Sequence, residues 1–101
     1  MTIQFNTDHN IPARKALREP LVSMIADELR RYKDHITRIE AHLTDVDGDK
    51  NGINDKRCVL EARIEKKRPV AVTNFASTHL LAVEGALDKL KSLLRKKLEK
   101  K

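Results

Sequence analysis

At residues 58–65 the sequence reads CVLEARIE, and apolar residues occupy every second position from Cys58 to Ile64. A period of two is typical of a strand that buries one face. The same period is present at residues 39–43 and, over a shorter run, at residues 70–72. Residues 2–6 have the pattern of a short edge strand. The sequence therefore predicts four strands.

A stripe of apolar residues at helical spacing predicts a first helix over about residues 16–32. Proline inside a helix costs about 3 kcal/mol. We therefore expect Pro20 in the first turn, with an irregular start and the helix proper beginning near Arg18 or Glu19. The stripe consists of Leu17, Leu21, Ile25 and Leu29.

A second stripe predicts a C-terminal helix over about residues 78–98, with Ser77 or Thr78 as its N-cap. The resulting order, β-α-β-β-β-α, predicts a single α+β domain over residues 1–101. In this architecture two helices pack on one face of a four-stranded sheet. The apolar residues expected to be buried in the second helix are Leu80, Val83, Leu87, Leu90 and Leu94.

The distribution of charge indicates where a partner binds. Residues 1–88 carry 14 basic and 14 acidic side chains, whereas residues 89–101 carry seven basic side chains and one acidic one, so the whole net charge of +6 lies there. Cations off the leucine stripe are expected to project into solvent, either as an ordinary solvated helix end or as a surface for RNA phosphates. The predicted RNA contacts are Lys89, Lys91, Arg95, Lys96 and Lys97, with Arg18, Arg30 and Arg31 on the first helix.

The sequence gives little support for metal binding, cofactor binding or catalysis. Residues 47–53 read DGDKNGI and match the start of a calcium loop, but the twelfth position, which needs a bidentate glutamate, is Cys58. Lys50 adds a positive charge inside the proposed cage, so we predict no calcium site there. The four histidines do not stand at metal-ligand spacing, and no phosphate loop or nucleophile–base pattern is present. We predict no metal, no cofactor, no small-molecule substrate and no enzymatic activity.

The single cysteine, Cys58, excludes an internal disulfide and is expected to act as a small buried hydrophobe. No apolar run reaches the roughly 20 residues of a membrane span. The first five residues lack the basic start and apolar block of a signal peptide. We therefore expect a cytoplasmic protein.

Four segments resemble the ribosome hibernation promoting factors, also called ribosome-associated inhibitor or sigma-modulation proteins. They are Ile3-Gln4, IEAHL at residues 39–43, CVLEA at residues 58–62, and ALDKL at residues 86–90, which is followed by Leu94-Arg95-Lys96. The resemblance spans nearly the whole chain. It implies a fold similar to a double-stranded-RNA-binding domain and binding to the small ribosomal subunit between head and body. The chain resembles the short form, without a dimerising second domain, so we expect a monomer off the ribosome.

By position, Lys89, Arg95 and Lys96 match the basic residues that this family carries on its second helix. The chain departs from the family pattern at three positions. Ser92 replaces a common arginine, Leu80 a frequent tyrosine and Thr78 a frequent acidic residue. Pro20 and the long acidic loop are also unusual for the family.

The leading hypothesis is a translation silencer that occupies the messenger and transfer RNA channel of the small subunit by contacting its ribosomal RNA, without catalysis. The main alternative is a protein–protein regulator of the same fold that acts on a non-ribosomal partner. Docking of the basic helix on an anionic membrane is the weakest hypothesis, because its leucines are needed for the core.

Overall fold

Six regular elements and one short 3-10 helix make up the part of the chain that the structure describes. The computed structural model describes residues 1–8, 14–46 and 55–98. In chain order the elements are β1 (Thr2–Thr7), α1 (Arg14–Glu28), a 3-10 helix (Arg30–Tyr32), β2 (Ile36–Asp45), β3 (Lys56–Ile64), β4 (Val70–Ala76) and α2 (His79–Leu98).

The four strands form one mixed sheet in the order β1-β2-β3-β4. β1 is parallel to β2, and the other two neighbouring pairs are antiparallel. The predicted β-α-β-β-β-α order and the α+β class are confirmed. α1 returns the chain to the start of β2, and α2 runs back along β4, so both helices run antiparallel to β2.

The core lies between the helices and one face of the sheet. Register pairs Leu60 of β3 with Ala41 of β2 and with Val72 of β4, so one row of side chains crosses the sheet on this face. The helices cover it with Ile25 of α1 and Leu90 of α2, both 0% exposed. The buried residues of the two central strands are Ile36, Ile39, Ala41, Leu43, Cys58, Leu60, Ala62 and Ile64.

The expected start of the first helix is wrong. α1 begins at Arg14, and Pro20 is its seventh residue rather than part of the first turn. Proline lacks the N–H that would bond the carbonyl of Ala16. Both residues are exposed, so water can bond this carbonyl. The last turn tightens into the 3-10 helix, which brings Tyr32 into the core.

In α2 the predicted N-cap is confirmed, but one predicted core residue is not. The Oγ1 of Thr78 accepts a hydrogen bond from the backbone N–H of Leu81 at 3.1 Å. Leu80 is 50% exposed, so its predicted place in the core is wrong. Ala82 and Val83 fill the sheet side of this turn, and both are fully buried, which leaves Leu80 beside the core.

A glycine sets how closely α2 approaches β4. A Cβ at Gly85 would lie 2.1 Å from Nδ2 of Asn74 on β4. This Nδ2 donates a hydrogen bond to the carbonyl of Ala82 at 3.2 Å, so the amide is held against the helix backbone. The close approach therefore depends on the missing side chain at residue 85.

Leu87 and Leu80 form a matched pair for testing the core. We expect Leu87→Ala to lower the free energy of unfolding by about 2–5 kcal/mol, because Leu87 is 1% exposed and its removal leaves a cavity. Leu80→Ala should change it by about 0.5 kcal/mol or less. Urea unfolding of both variants measures the difference. Equal effects would mean that α2 is rotated from the position described.

Gly85→Ala should lower stability in the wild-type background, because the new methyl group displaces the Asn74 amide from its acceptor. In an Asn74→Ala background the same change should raise the free energy of unfolding by about 0.5–1 kcal/mol, the usual advantage of alanine in a helix. Urea unfolding of the two single variants and the double variant measures the coupling. A gain in both backgrounds would contradict the close contact.

Candidate nucleic-acid interface

The topology brings the C-terminal ends of both helices to the same end of the molecule. α1 leads into the start of β2. α2 begins near the end of β4 and runs back past the start of β4. An ion pair between Lys91 Nζ and Glu28 Oε1 joins the two helices just before this end. Basic segments that are distant in sequence therefore become neighbours.

Six exposed cations gather where the helices end. The 3-10 helix supplies Arg30 and Arg31, and Lys33 follows directly after this helix. The last turn of α2 supplies the other three cations. Successive helical residues point about 100° apart, so the cations of α2 fan out rather than follow one line. The guanidinium of Arg31 lies 5.3 Å from the centre of the Tyr32 ring. We call this surface the basic end: Arg30, Arg31, Lys33, Arg95, Lys96 and Lys97.

The other three predicted contact residues lie outside the basic end. Arg18 is exposed, but ten residues before Glu28 it lies about 15 Å back along α1. Lys89 is exposed, yet its Nζ donates a 2.7 Å hydrogen bond to the carbonyl of Thr73. The expectation that Lys91 projects into solvent is wrong, because its side chain is 29% exposed and is paired with Glu28.

Sequence reasoning missed the cations that join this end from the sheet side. Lys66, Lys67 and Arg68 lie in the turn between β3 and β4, and all three are exposed. The backbone N–H of Glu65 donates to the carbonyl of His35 at 2.8 Å, which places the turn beside the start of β2. Counting charge over residues 1–88 hid this group, because the acidic residues that balance it lie elsewhere.

The groove between the helices is acidic. A cleft of about 320 Å³ is lined by Met24, Glu28, Glu84, Leu87 and Asp88. Carboxylates here repel a polyanion that runs along the groove. A nucleic acid is therefore favoured at the ends of the helices rather than along the line between them.

At the opposite end of the sheet, the cation Lys56 pairs with two aspartates of the same chain. Lys56 Nζ lies 3.0 Å from Asp55 and 3.2 Å from Asp45, and the Asp55 side chain is only 4% exposed. The hydrogen bond to Asp55 is the largest influence that raises the pKa of Lys56. Burial, with Lys56 nearby, lowers the pKa of His79 below 6.5. The His79 Nδ1 is buried and has no hydrogen-bond partner among the described residues.

Over residues 1–8, 14–46 and 55–98, no three His, Cys, Asp or Glu side chains are arranged to hold a metal ion. Within the same ranges, neither helix has the length and apolar character needed to cross a bilayer. The motif at residues 47–53, which is predicted not to bind calcium, lies outside the described residues, as do residues 99–101. Burial raises the pKa of the Cys58 thiol to about 12, as expected for a cysteine that packs as a hydrophobe.

Comparison with known proteins places these features in a family. The model of the family described as "Sigma 54 modulation protein / S30EA ribosomal protein" matches residues 5–101. No curated protein matches the sequence significantly.

Two solved structures share the fold at low sequence identity. The N-terminal domain of Protein Y from Thermus thermophilus is 20% identical, with a TM-score of 0.73, over 95% of this chain and 98% of that one. A ribosomal subunit interface protein from Coxiella burnetii is 19% identical, with a TM-score of 0.66, over 99% of this chain and all of that one.

His79 gives the stability a pH dependence with a definite sign. Its folded-state pKa is lowered, so the neutral ring favours the folded state above the unfolded pKa of 6.5, and this contribution is lost as the pH falls below that value. We expect the wild type to lose more stability than His79→Gln between about pH 7.5 and about pH 5.5. Urea unfolding at both pH values measures the difference. An equal loss in the two proteins would show that His79 does not contribute.

Proposed function

Because the chain belongs to the sigma 54 modulation protein / S30EA ribosomal protein family, we propose that it silences translation by binding small-subunit ribosomal RNA through its basic end. Family membership makes it a ribosome-associated modulation factor. The proposal adds a site and a mode of action: the protein occupies the channel that messenger and transfer RNA use. It acts there by steric occlusion and needs no catalytic group.

The observation that carries the proposal is the clustering of six exposed cations at the basic end. Asp34 is the one acidic residue within its two sequence segments, 30–34 and 95–97, which carry six basic residues. Cations on a surface of this kind neutralise RNA phosphates and release condensed counterions, which supplies affinity without sequence readout. The acidic interhelical cleft beside it keeps the RNA backbone at the helix ends.

The packing of α2 against the sheet also supports the proposal, because it fixes the cations that would contact the RNA. Arg95 and Lys96 lie in the last turn of α2, and the turns before it are anchored by Leu90 and Leu94, both 0% exposed. An anchored helix holds its cations without the entropic cost of ordering a free tail. We propose that the protein is a cytoplasmic monomer when it is not on the ribosome.

A matched pair of charge reversals tests the site. Arg95→Glu and Arg18→Glu both replace an exposed helical arginine and change the net charge equally, but only Arg95 belongs to the basic end. We expect the log affinity of the wild type for small subunits to fall with log salt at a slope of roughly −3 to −4, for about four phosphate contacts. Arg95→Glu should weaken binding and make the slope less negative by about 1. Arg18→Glu should stay close to the wild type.

Co-sedimentation with purified small subunits across a salt series measures both effects, and thermal melting confirms that each variant is folded. If Arg18→Glu weakened binding as much as Arg95→Glu, the RNA would run along α1 and the basic end would not be the site. If neither variant differed from the wild type, a regulator that acts on a protein partner would become the better proposal.

A further inference from the structure

The turn between β3 and β4 has a backbone conformation that does not suit its sequence. The backbone N–H of Lys67 donates to the carbonyl of Ile64 at 3.1 Å, which closes a four-residue turn. Within it, Lys66 has a φ of 63°, and no other non-glycine residue of the described ranges has a positive φ. A turn with positive φ at its third residue favours glycine or asparagine.

Lysine at this position costs stability that glycine would not. The Cβ of an L-residue crowds the backbone in the left-handed region, whereas glycine has no such atom. Strain of this kind persists where the surrounding structure enforces it and is concentrated at functional sites. The Lys66 side chain is exposed and makes no ion pair with any described residue, so packing does not explain it.

The next two residues extend the same pattern. Lys67 and Arg68 are also exposed and also lack an ion pair within the described part of the chain. Glu65, the acidic residue beside them, is tied by its backbone to His35, three residues beyond Tyr32 of the 3-10 helix. We call Lys66, Lys67 and Arg68 the basic turn, which is held next to the basic end by this hydrogen bond.

The basic end and the basic turn differ in the electrostatic field that the neighbouring backbone produces. The last carbonyl groups of α2 carry a partial negative charge, which offsets part of the positive potential of Arg95, Lys96 and Lys97. A tight turn between strands has no comparable dipole. The cations of the basic turn therefore attract an anion with less opposition than an equal number at the helix end.

We propose that the basic turn is a second phosphate-binding site, which holds a segment of RNA backbone different from the one on the basic end. This inference rests on the proposed function, since both sites face the same ribosomal RNA. The basic end then binds the RNA from the helix layer, and the basic turn binds it from the sheet layer. The strain at Lys66 is then the structural cost of presenting a cation at the tip of the turn.

Substitutions at Lys66 separate binding from folding. Lys66→Gly and Lys66→Asn remove the charge and suit the backbone, so we expect both to melt at the wild-type temperature or above and to bind small subunits more weakly. Their salt slopes should be less negative by about 1. Lys66→Arg keeps the charge and the strain, and it should bind like the wild type. Lys67→Glu/Arg68→Glu should make the slope less negative by about 2.

Co-sedimentation with purified small subunits distinguishes the two proposals. Wild-type affinity in Lys66→Gly and in Lys67→Glu/Arg68→Glu, together with weak binding by Arg95→Glu, would overturn the second site and leave the proposed function intact. A wild-type protein that does not pellet with small subunits would overturn both. Weak binding by Lys66→Gly with an unchanged or raised melting temperature, and normal binding by Lys66→Arg, would support the second site.

Discussion

The burial of alternate side chains on β2 and β3 is the constraint on which the other features depend. These strands are central, and the face that carries Ile39 and Leu60 is closed by both helices, with each residue 0% exposed. A shift of one residue in either strand would turn this apolar row toward solvent, so the register is strongly fixed. With the register fixed, both helices must return across the same face in the same direction. Their C-terminal turns then meet at one end.

Residue type alone does not separate structural cations from available ones. Lys56 is held between two aspartates, Lys89 bonds a strand carbonyl, and Lys91 pairs with a glutamate of the other helix. Arg95 and Lys96, only a few residues beyond Lys91, have no such partner among the described residues. The difference arises because α2 continues past the last turn of α1, and within the described residues no carboxylate pairs with these two side chains.

The strands and the body of α2 were predictable because local periodicity reflects burial directly. Pro20 was misplaced because the cost of proline inside a helix falls when the carbonyl it leaves unpaired faces water, and solvent exposure is a tertiary property. Leu80 was misplaced because a stripe spaced by three and four residues does not show which residues of the first turn face the sheet, and Ala82 and Val83 fill that side. The partner of Lys91 lies 63 residues away in the sequence, and the basic turn meets the helix ends only after β3 and β4 have paired. No local pattern reports such neighbours.

The bond between Lys89 and Thr73 has a consequence for the sheet as a whole. β4 is an outer strand, and an outer strand with free carbonyl groups is a template on which strands of other chains can add. The carbonyl of Thr73 points away from β3, and it already accepts a hydrogen bond from the ammonium group of Lys89 on α2. An incoming strand would have to break this bond and place its backbone against a lysine. The same helix that covers the core thus also protects this margin of the sheet from intermolecular aggregation.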